Sequence, residues 1–260
     1  MKIESHCDGN VLIVEDFLSQ EEIKKVDDLM RNFNYDGLIE HDFAYWGKRL
    51  LNEYQVTLTP GYEKSLDEIK PIISDIKDRV SSFLNENDHV DNWEPASPNL
   101  IRMYPNSSPI EFGGDKELEM FVHIDNQGHM EKPIMWGAVV YPNDDYTGGE
   151  IYYPDYNFSY KPKAGSMVLH DGNTRHGVKK VIEGNRFCMA SLVTIQGNYN
   201  QNPLPTRTDN PIAPYHYPAG YWGKRMPDDP IQEDVKNPRG DGSFAPYNDS
   251  PVLGRADGNM

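Results

Sequence analysis

Leu118-Glu119-Met120-Phe121-Val122-His123-Ile124-Asp125 decides how the rest of this chain is read. Leu118, Met120, Val122 and Ile124 alternate with Glu119, Phe121, His123 and Asp125, the period of a strand with two unlike faces. Residues i and i+2 share a face, so the His123 imidazole and the Asp125 carboxylate project together. A His-x-Asp pair is a weak signal alone, and it also occurs at His6/Asp8 and His89/Asp91. Context separates the three. His6/Asp8 lies at the start of the chain, and His89/Asp91 sits in the polar stretch 85–92 that reads as a solvated loop. Only His123/Asp125 lies on a clearly alternating strand.

Two ligands need a third. Two histidines and one carboxylate on one side of a metal form the facial triad that suits Fe(II) and leaves other positions open. His129, His170, His176 and His216 are the downstream candidates. His176 is favoured, because it follows the turn Asp171-Gly172-Asn173 and enters a strand at 177–181. Ten residues later Arg186 begins another strand and shares a face with Cys188, Ala190 and Leu192. A permanent cation there is costly to bury without an anion. A dicarboxylate would supply one, and the arginine fork matches a carboxylate in bidentate geometry.

Outward from these residues the pattern is regular. Short strands are expected at 99–104, 118–125, 135–141, 150–153, 158–161, 166–169, 177–181 and 186–194, separated by turns rich in Gly, Asn and Asp. Before them, Val11-Leu12-Ile13-Val14 reads as a buried strand. Ser19-Gln20-Glu21-Glu22 is a capping box opening a helix over 20–32, and the apolar spacing from Leu66 to Phe83 predicts a second helix over 65–83, broken or kinked at Pro71. The expected fold class is mostly β with flanking α, a double-sheet jelly roll with N-terminal helices packed on it. Three regions follow: 1–98 as support, 99–196 as the core, and 197–260 as an extended arm holding ten of the 20 prolines. Tyr-Trp-Gly-Lys-Arg occurs at both 45–49 and 221–225 without a longer repeat around it.

Composition narrows the class further. The 260 residues include 41 Asp+Glu and 25 Lys+Arg, a net charge of −16, which disfavours a sequence-independent grip on nucleic acid or an anionic membrane. The longest apolar runs are four or five residues, far below a transmembrane helix. Met1 to His6 has no apolar h-region, so no signal peptide is visible and a cytoplasmic location is expected. Two cysteines, Cys7 and Cys188, exclude a disulfide scaffold and a cysteine-rich metal site and fit a reducing compartment.

The motifs together resemble the Fe(II)/2-oxoglutarate-dependent dioxygenases, in their prolyl 4-hydroxylase-like branch. The residues carrying the resemblance begin with Asn99-Leu100-Ile101-Arg102-Met103-Tyr104 and Phe121-Val122-His123-Ile124-Asp125. They continue through 139–151, with its Gly148-Gly149, through Lys161-Pro162-Lys163-Ala164-Gly165-Ser166 and His176-Gly177-Val178, and end with Gly184-Asn185-Arg186-Phe187. The resemblance implies a double-stranded β-helix with His123, Asp125 and His176 on iron as the catalytic centre. It implies that Arg186 binds the distal carboxylate of 2-oxoglutarate, where many relatives carry Lys, and that Tyr104 hydrogen-bonds the same carboxylate. The stretch 106–117 between Tyr104 and His123 is insertion-like, and Ile124 stands where relatives often carry an aromatic. The resemblance further implies O2 as the second cosubstrate, and ascorbate as re-reductant is a family expectation. Asp125 argues against a halogenase, whose carboxylate is given up to make room for chloride.

A prolyl residue of a peptide or protein is the leading substrate, with small molecules and other side chains as alternatives. Tyr35, Phe43, Tyr45, Trp46 and Arg49 could form a lid over the site or a packed aromatic cluster beside it. Two other classes use the same fold: a cupin-like metal isomerase or lyase without 2-oxoglutarate, and a non-catalytic binding module. Arg186, at its offset after His176, argues against the first; the intact triad argues against the second.

Overall fold

The computed structural model describes residues 1–33, 50–51, 63–87, 93–105, 118–125 and 134–195. The expected arm 197–260, the aromatic group at 35–49, both copies of the repeated pentapeptide, and His89, His129 and His216 lie outside the described residues.

Among the described residues two α-helices flank the sheets. In α1 (Gln20–Asn32) the capping box is formed: the Ser19 hydroxyl accepts from the Glu22 N–H at 3.3 Å, and the Glu22 carboxylate accepts from the Ser19 N–H at 2.6 Å. Helix α2 (Glu63–Asn87) is longer than expected and is not broken at Pro71. Proline removes the hydrogen bond to the carbonyl four residues back, here that of Asp67. Asp67 and Pro71 are both exposed, on the side where water can reach that carbonyl. On the other side Ile72, Ile73, Ile76, Val80 and Phe83 are buried and hold the helix to the core.

The strands are β1 (Lys2–His6), β2 (Val11–Glu15), β3 (Leu50–Leu51), β4 (Trp93–Pro95), β5 (Asn99–Met103), β6 (Leu118–His123) and β7 (Trp136–Val140), followed by β8 (Thr147–Gly148), β9 (Ile151–Tyr153), β10 (Phe158–Tyr160), β11 (Met167–Asp171), β12 (His176–Lys179), β13 (Val181–Glu183) and β14 (Arg186–Ile195). Each of the eight strands expected after residue 99 is present. The large sheet runs β1-β2-β11-β7-β14-β5-β3, with β4 also on β14; a smaller sheet runs β10-β9-β12-β6, and β13 pairs with β8. From β5 to β14 the chain passes back and forth between the large and small sheets.

Two apolar layers result. The outer one seats Val26 and Met30 of α1 and Ile76, Val80 and Phe83 of α2 on Leu12, Trp136, Val140, Leu169 and Met189 of the large sheet. The inner one lies between the sheets and takes Ile13, Ile101, Met103, Val168 and Cys188 from one and Ile151, Tyr153 and Val178 from the other. Strand alternation makes this division: Val168 faces inward, while Met167 and Leu169 face the helices. Every inward-facing polar residue therefore enters the layer between the sheets. Among the described residues no helix is long and apolar enough to cross a membrane.

Candidate metal centre

Strand pairing places the first two ligands. β12 and β6 are antiparallel, and His176 is the cross-strand partner of His123. Their ring centroids are 4.3 Å apart. β6 ends at His123, two residues earlier than the alternation predicts, and Asp125 follows in the bend beyond it. Ile124 is buried, and Asp125 turns its carboxylate back toward the imidazoles. Asp125 Oδ1 is 3.6 Å from His123 Nε2 and 3.8 Å from His176 Nε2. One ligand atom from each of the three residues lies within 4.8 Å of the others.

These residues fit a metal ion on their own geometry. The Nδ1 atom of His176 is 2.9 Å from the Thr174 carbonyl, so Nδ1 carries the hydrogen and Nε2 presents its lone pair to the cluster. Burial and the neighbouring His170 and His123 hold the His176 pKa well below the usual histidine value, which favours the neutral, ligating form. Burial works against ionising Asp125, yet His176, His123 and His170 outweigh it and hold the carboxyl well below its usual range. Two imidazole nitrogens and one carboxylate oxygen are a donor set for Fe(II) and its neighbours in the first transition row.

A third histidine stands in the same cluster. His170, on β11, is buried and faces inward with Val168. Its Nε2 is 2.9 Å from Asp125 Oδ2, and its ring centroid is 3.9 Å from that of His176. Sequence reasoning ranked it only as a possible ligand; its position beside Asp125 depends on strand register, which the sequence does not display.

Arg186 begins β14 and is 1% exposed. Its Nε donates to the Gly149 carbonyl at 2.9 Å, and one terminal nitrogen donates to the Tyr141 hydroxyl at 3.2 Å. The other lies 3.4 Å from both Met103 Sδ and Cys188 Sγ. Among the described residues no carboxylate pairs with it. The close glycine turn matters here: Gly149 has φ +69°, and a Cβ there would meet Arg186 Cδ at 2.9 Å. Burial pushes the neighbouring Tyr146 phenol up to about 12 against the opposing pull of Arg186. The Tyr153 ring is 6.3 Å from that of His176 and packs in the same inner layer as Met103, Tyr141 and Cys188, the neighbours of Arg186, so the metal cluster on the small sheet and the arginine on the large sheet border one interior.

Tyr104 stands elsewhere. Met103 is the cross-strand partner of Arg186 and shares its inward face. Arg102 alternates with Ile101 and Met103, and the Tyr104 ring lies against its guanidinium at 4.9 Å. The phenol that hydrogen-bonds Arg186 belongs to Tyr141, whose signal in the sequence was its place at the end of the expected strand 135–141, inside the quoted 139–151 motif. His6 of the His6/Asp8 pair stacks on Phe158 at 4.7 Å, apart from the cluster.

No protein-family model matches the chain, and no curated protein matches it. Solved structures do. A prolyl hydroxylase from Trichoplax adhaerens, in complex with a hypoxia inducible factor oxygen degradation domain peptide fragment, superposes with a TM-score of 0.50 at 14% identity, covering 72% of this chain and 84% of that one. The viral collagen prolyl hydroxylase of Paramecium Bursaria Chlorella virus-1 gives a TM-score of 0.49 at 16% identity over 76% of this chain and 96% of that one. A Streptomyces hygroscopicus protein with nickel, 2-oxoglutarate and hygromycin B bound gives 0.47 at 13% identity over 80% and 92%. The likeness is one of fold: the architecture is that of the 2-oxoglutarate–Fe(II) oxygenases, as the motifs of the sequence suggest.

Proposed function

We propose that this chain, which has the fold of the 2-oxoglutarate–Fe(II) oxygenases, is an Fe(II)- and 2-oxoglutarate-dependent dioxygenase that hydroxylates an unactivated C–H bond. In this reading the two facing sheets are a double-stranded β-helix. The observation that carries it is the pairing, across the layer between the two sheets, of a two-histidine, one-carboxylate cluster with a buried arginine that no carboxylate among the described residues neutralises.

Each residue then has a task. His123, Asp125 and His176 hold Fe(II), with the Thr174 carbonyl fixing the His176 ring so that Nε2 faces the metal. Bound Fe(II) with 2-oxoglutarate supplies the oxidising chemistry: O2 is consumed, 2-oxoglutarate leaves as succinate and CO2, and one oxygen atom enters a new C–OH bond. Arg186 and the Tyr141 hydroxyl bind the distal carboxylate, the arginine as the permanent cation and the phenol as a neutral donor. Ile101, Val168 and Val178 wall the space between the sheets and exclude water, so that the arginine's field is not screened. A cupin-like isomerase has no need of this cation.

Within this reading a prolyl residue of a peptide or protein is the leading substrate. Support comes from the sequence resemblance to the prolyl 4-hydroxylase-like branch, and from the fold shared with a prolyl hydroxylase that binds a peptide fragment. A small molecule is the alternative. The test is succinate formation from 2-oxoglutarate by the Fe(II)-loaded protein in air, with and without proline-containing peptides. Peptide-stimulated succinate with a mass gain of one oxygen on the peptide is expected. Succinate without peptide stimulation moves the substrate to another class, and no succinate under any condition removes the dioxygenase reading.

A further inference from the structure

The two oxygens of Asp125 have different company. Oδ1 faces the ligand nitrogens of His123 and His176, at 3.6 and 3.8 Å. Oδ2 is 2.9 Å from His170 Nε2. An ionised carboxylate only accepts, so this contact fixes the hydrogen of His170 on Nε2. The backbone makes the contact possible. His170 on β11 is the cross-strand partner of Gly137 on β7. A Cβ on residue 137 would fall 2.2 Å from His170 Nε2 and 2.3 Å from Asp125 Oδ2, so any side chain there would occupy the place where the two groups meet. A glycine inside a strand weakens it unless something must approach closely, and here a carboxylate and an imidazole do. The ring is fully buried, and its Nδ1 has no hydrogen-bond partner among the described residues, so the orientation is set by Asp125.

We propose that His170, seated over Gly137, is a positioning residue that holds Oδ2 of Asp125 and so leaves Oδ1 alone to bind the metal. The inference rests on the metal-centre reading above and adds to it the denticity of the carboxylate. A carboxylate bound through one oxygen takes one coordination position, whereas one bound through both takes two. Holding Oδ2 therefore keeps a position free for other ligands, and hydrogen-bonded partners of this kind typically matter about 10- to 100-fold in metal affinity.

Co(II), titrated into metal-free protein and followed by its visible absorption, is the probe. Glutamine places an amide nitrogen near where Nε2 stands; asparagine, one methylene shorter, does not reach Oδ2. His170→Asn should bind Co(II) roughly 10- to 100-fold more weakly and show a weaker, shifted visible band, as a second carboxylate oxygen joins the metal. His170→Gln should restore both affinity and band. Thermal melts of the metal-free variants check that each is folded; if His170→Asn is not, Gly137→Ala is compared with wild type in its place and should show the same loss. Wild-type affinity and spectrum in His170→Asn, or no recovery in His170→Gln, overturns the positioning role while leaving the metal centre intact. Wild-type protein that binds no Co(II) overturns both.

Discussion

Replacing Arg186 by Met should leave the cosubstrate-free protein at least as stable as wild type and remove most of its response to 2-oxoglutarate. The guanidinium is buried, and its partners are a carbonyl, two sulfur atoms and a phenol, none of them an anion among the described residues. A buried, unpaired ion costs several kcal/mol even after local relaxation. Methionine fills a similar volume beside Met103 and Cys188 but leaves the Gly149 carbonyl without its donor, at roughly 1–3 kcal/mol. The gain from removing the charge matches or exceeds that loss. Cosubstrate binding moves the other way. Wild type at 100 times its dissociation constant gains about 2.7 kcal/mol from ligand, or roughly 5–10 °C in melting temperature for a chain of this size. Removing one member of a buried charge pair costs about 2–5 kcal/mol, so 2-oxoglutarate should bind roughly thirty-fold to a few thousand-fold more weakly. At the same ligand concentration the variant's shift falls to about a third of wild type or less. Melting curves of the Co(II)-loaded proteins with and without 2-oxoglutarate read both quantities. A variant that melts well below wild type without ligand, yet shifts as much with it, would refute the reasoning.

Ala at His123, Asp125 or His176 should abolish saturable metal binding in a Co(II) titration, while Ala at His6 leaves it unchanged. Gly149→Ala puts a side chain at φ +69° and against Arg186 Cδ; it should destabilise by roughly 1–3 kcal/mol in chemical denaturation and weaken 2-oxoglutarate binding as well. Burial raises the Cys188 thiol and pushes Cys7 up to about 11. Because the thiolate is the reactive form, both should be alkylated by iodoacetamide at pH 8 far more slowly than in urea-unfolded protein; rapid labelling of Cys188 in the folded state contradicts its burial.

How much of this was legible in the sequence depends on the kind of information each residue carries. The eight strands from 99 onward were legible because alternation and Gly/Asn/Asp turns are local signals, and the α1 cap because its two hydrogen bonds join residues three apart. The two-to-three-residue strands β3, β4, β8 and β13 were not, since they are defined by partners rather than by their own pattern. The same limit explains Tyr104 and Tyr141. Both are tyrosines at strand ends, and only the register that pairs Met103 with Arg186 shows which face each takes. His170 illustrates it again: its contact with Asp125 joins residues 45 positions apart across a glycine on a third strand. At Pro71 a local rule expected a break or kink, and the helix runs on unbroken with Ile72, Ile73 and Ile76, just after the proline, buried against the core.

The central claim is that the space between the two sheets holds a metal triad and a cation for a 2-oxoacid together. Anaerobic addition of Fe(II) and then 2-oxoglutarate to the metal-free protein tests it in one cuvette. The account predicts a visible metal-to-ligand charge-transfer band that appears only when both are present, survives replacement of His6 by Ala and is absent from Asp125→Ala. A wild-type protein that stays colourless with both at saturating concentration, or an Asp125→Ala variant that develops the band undiminished, would contradict it.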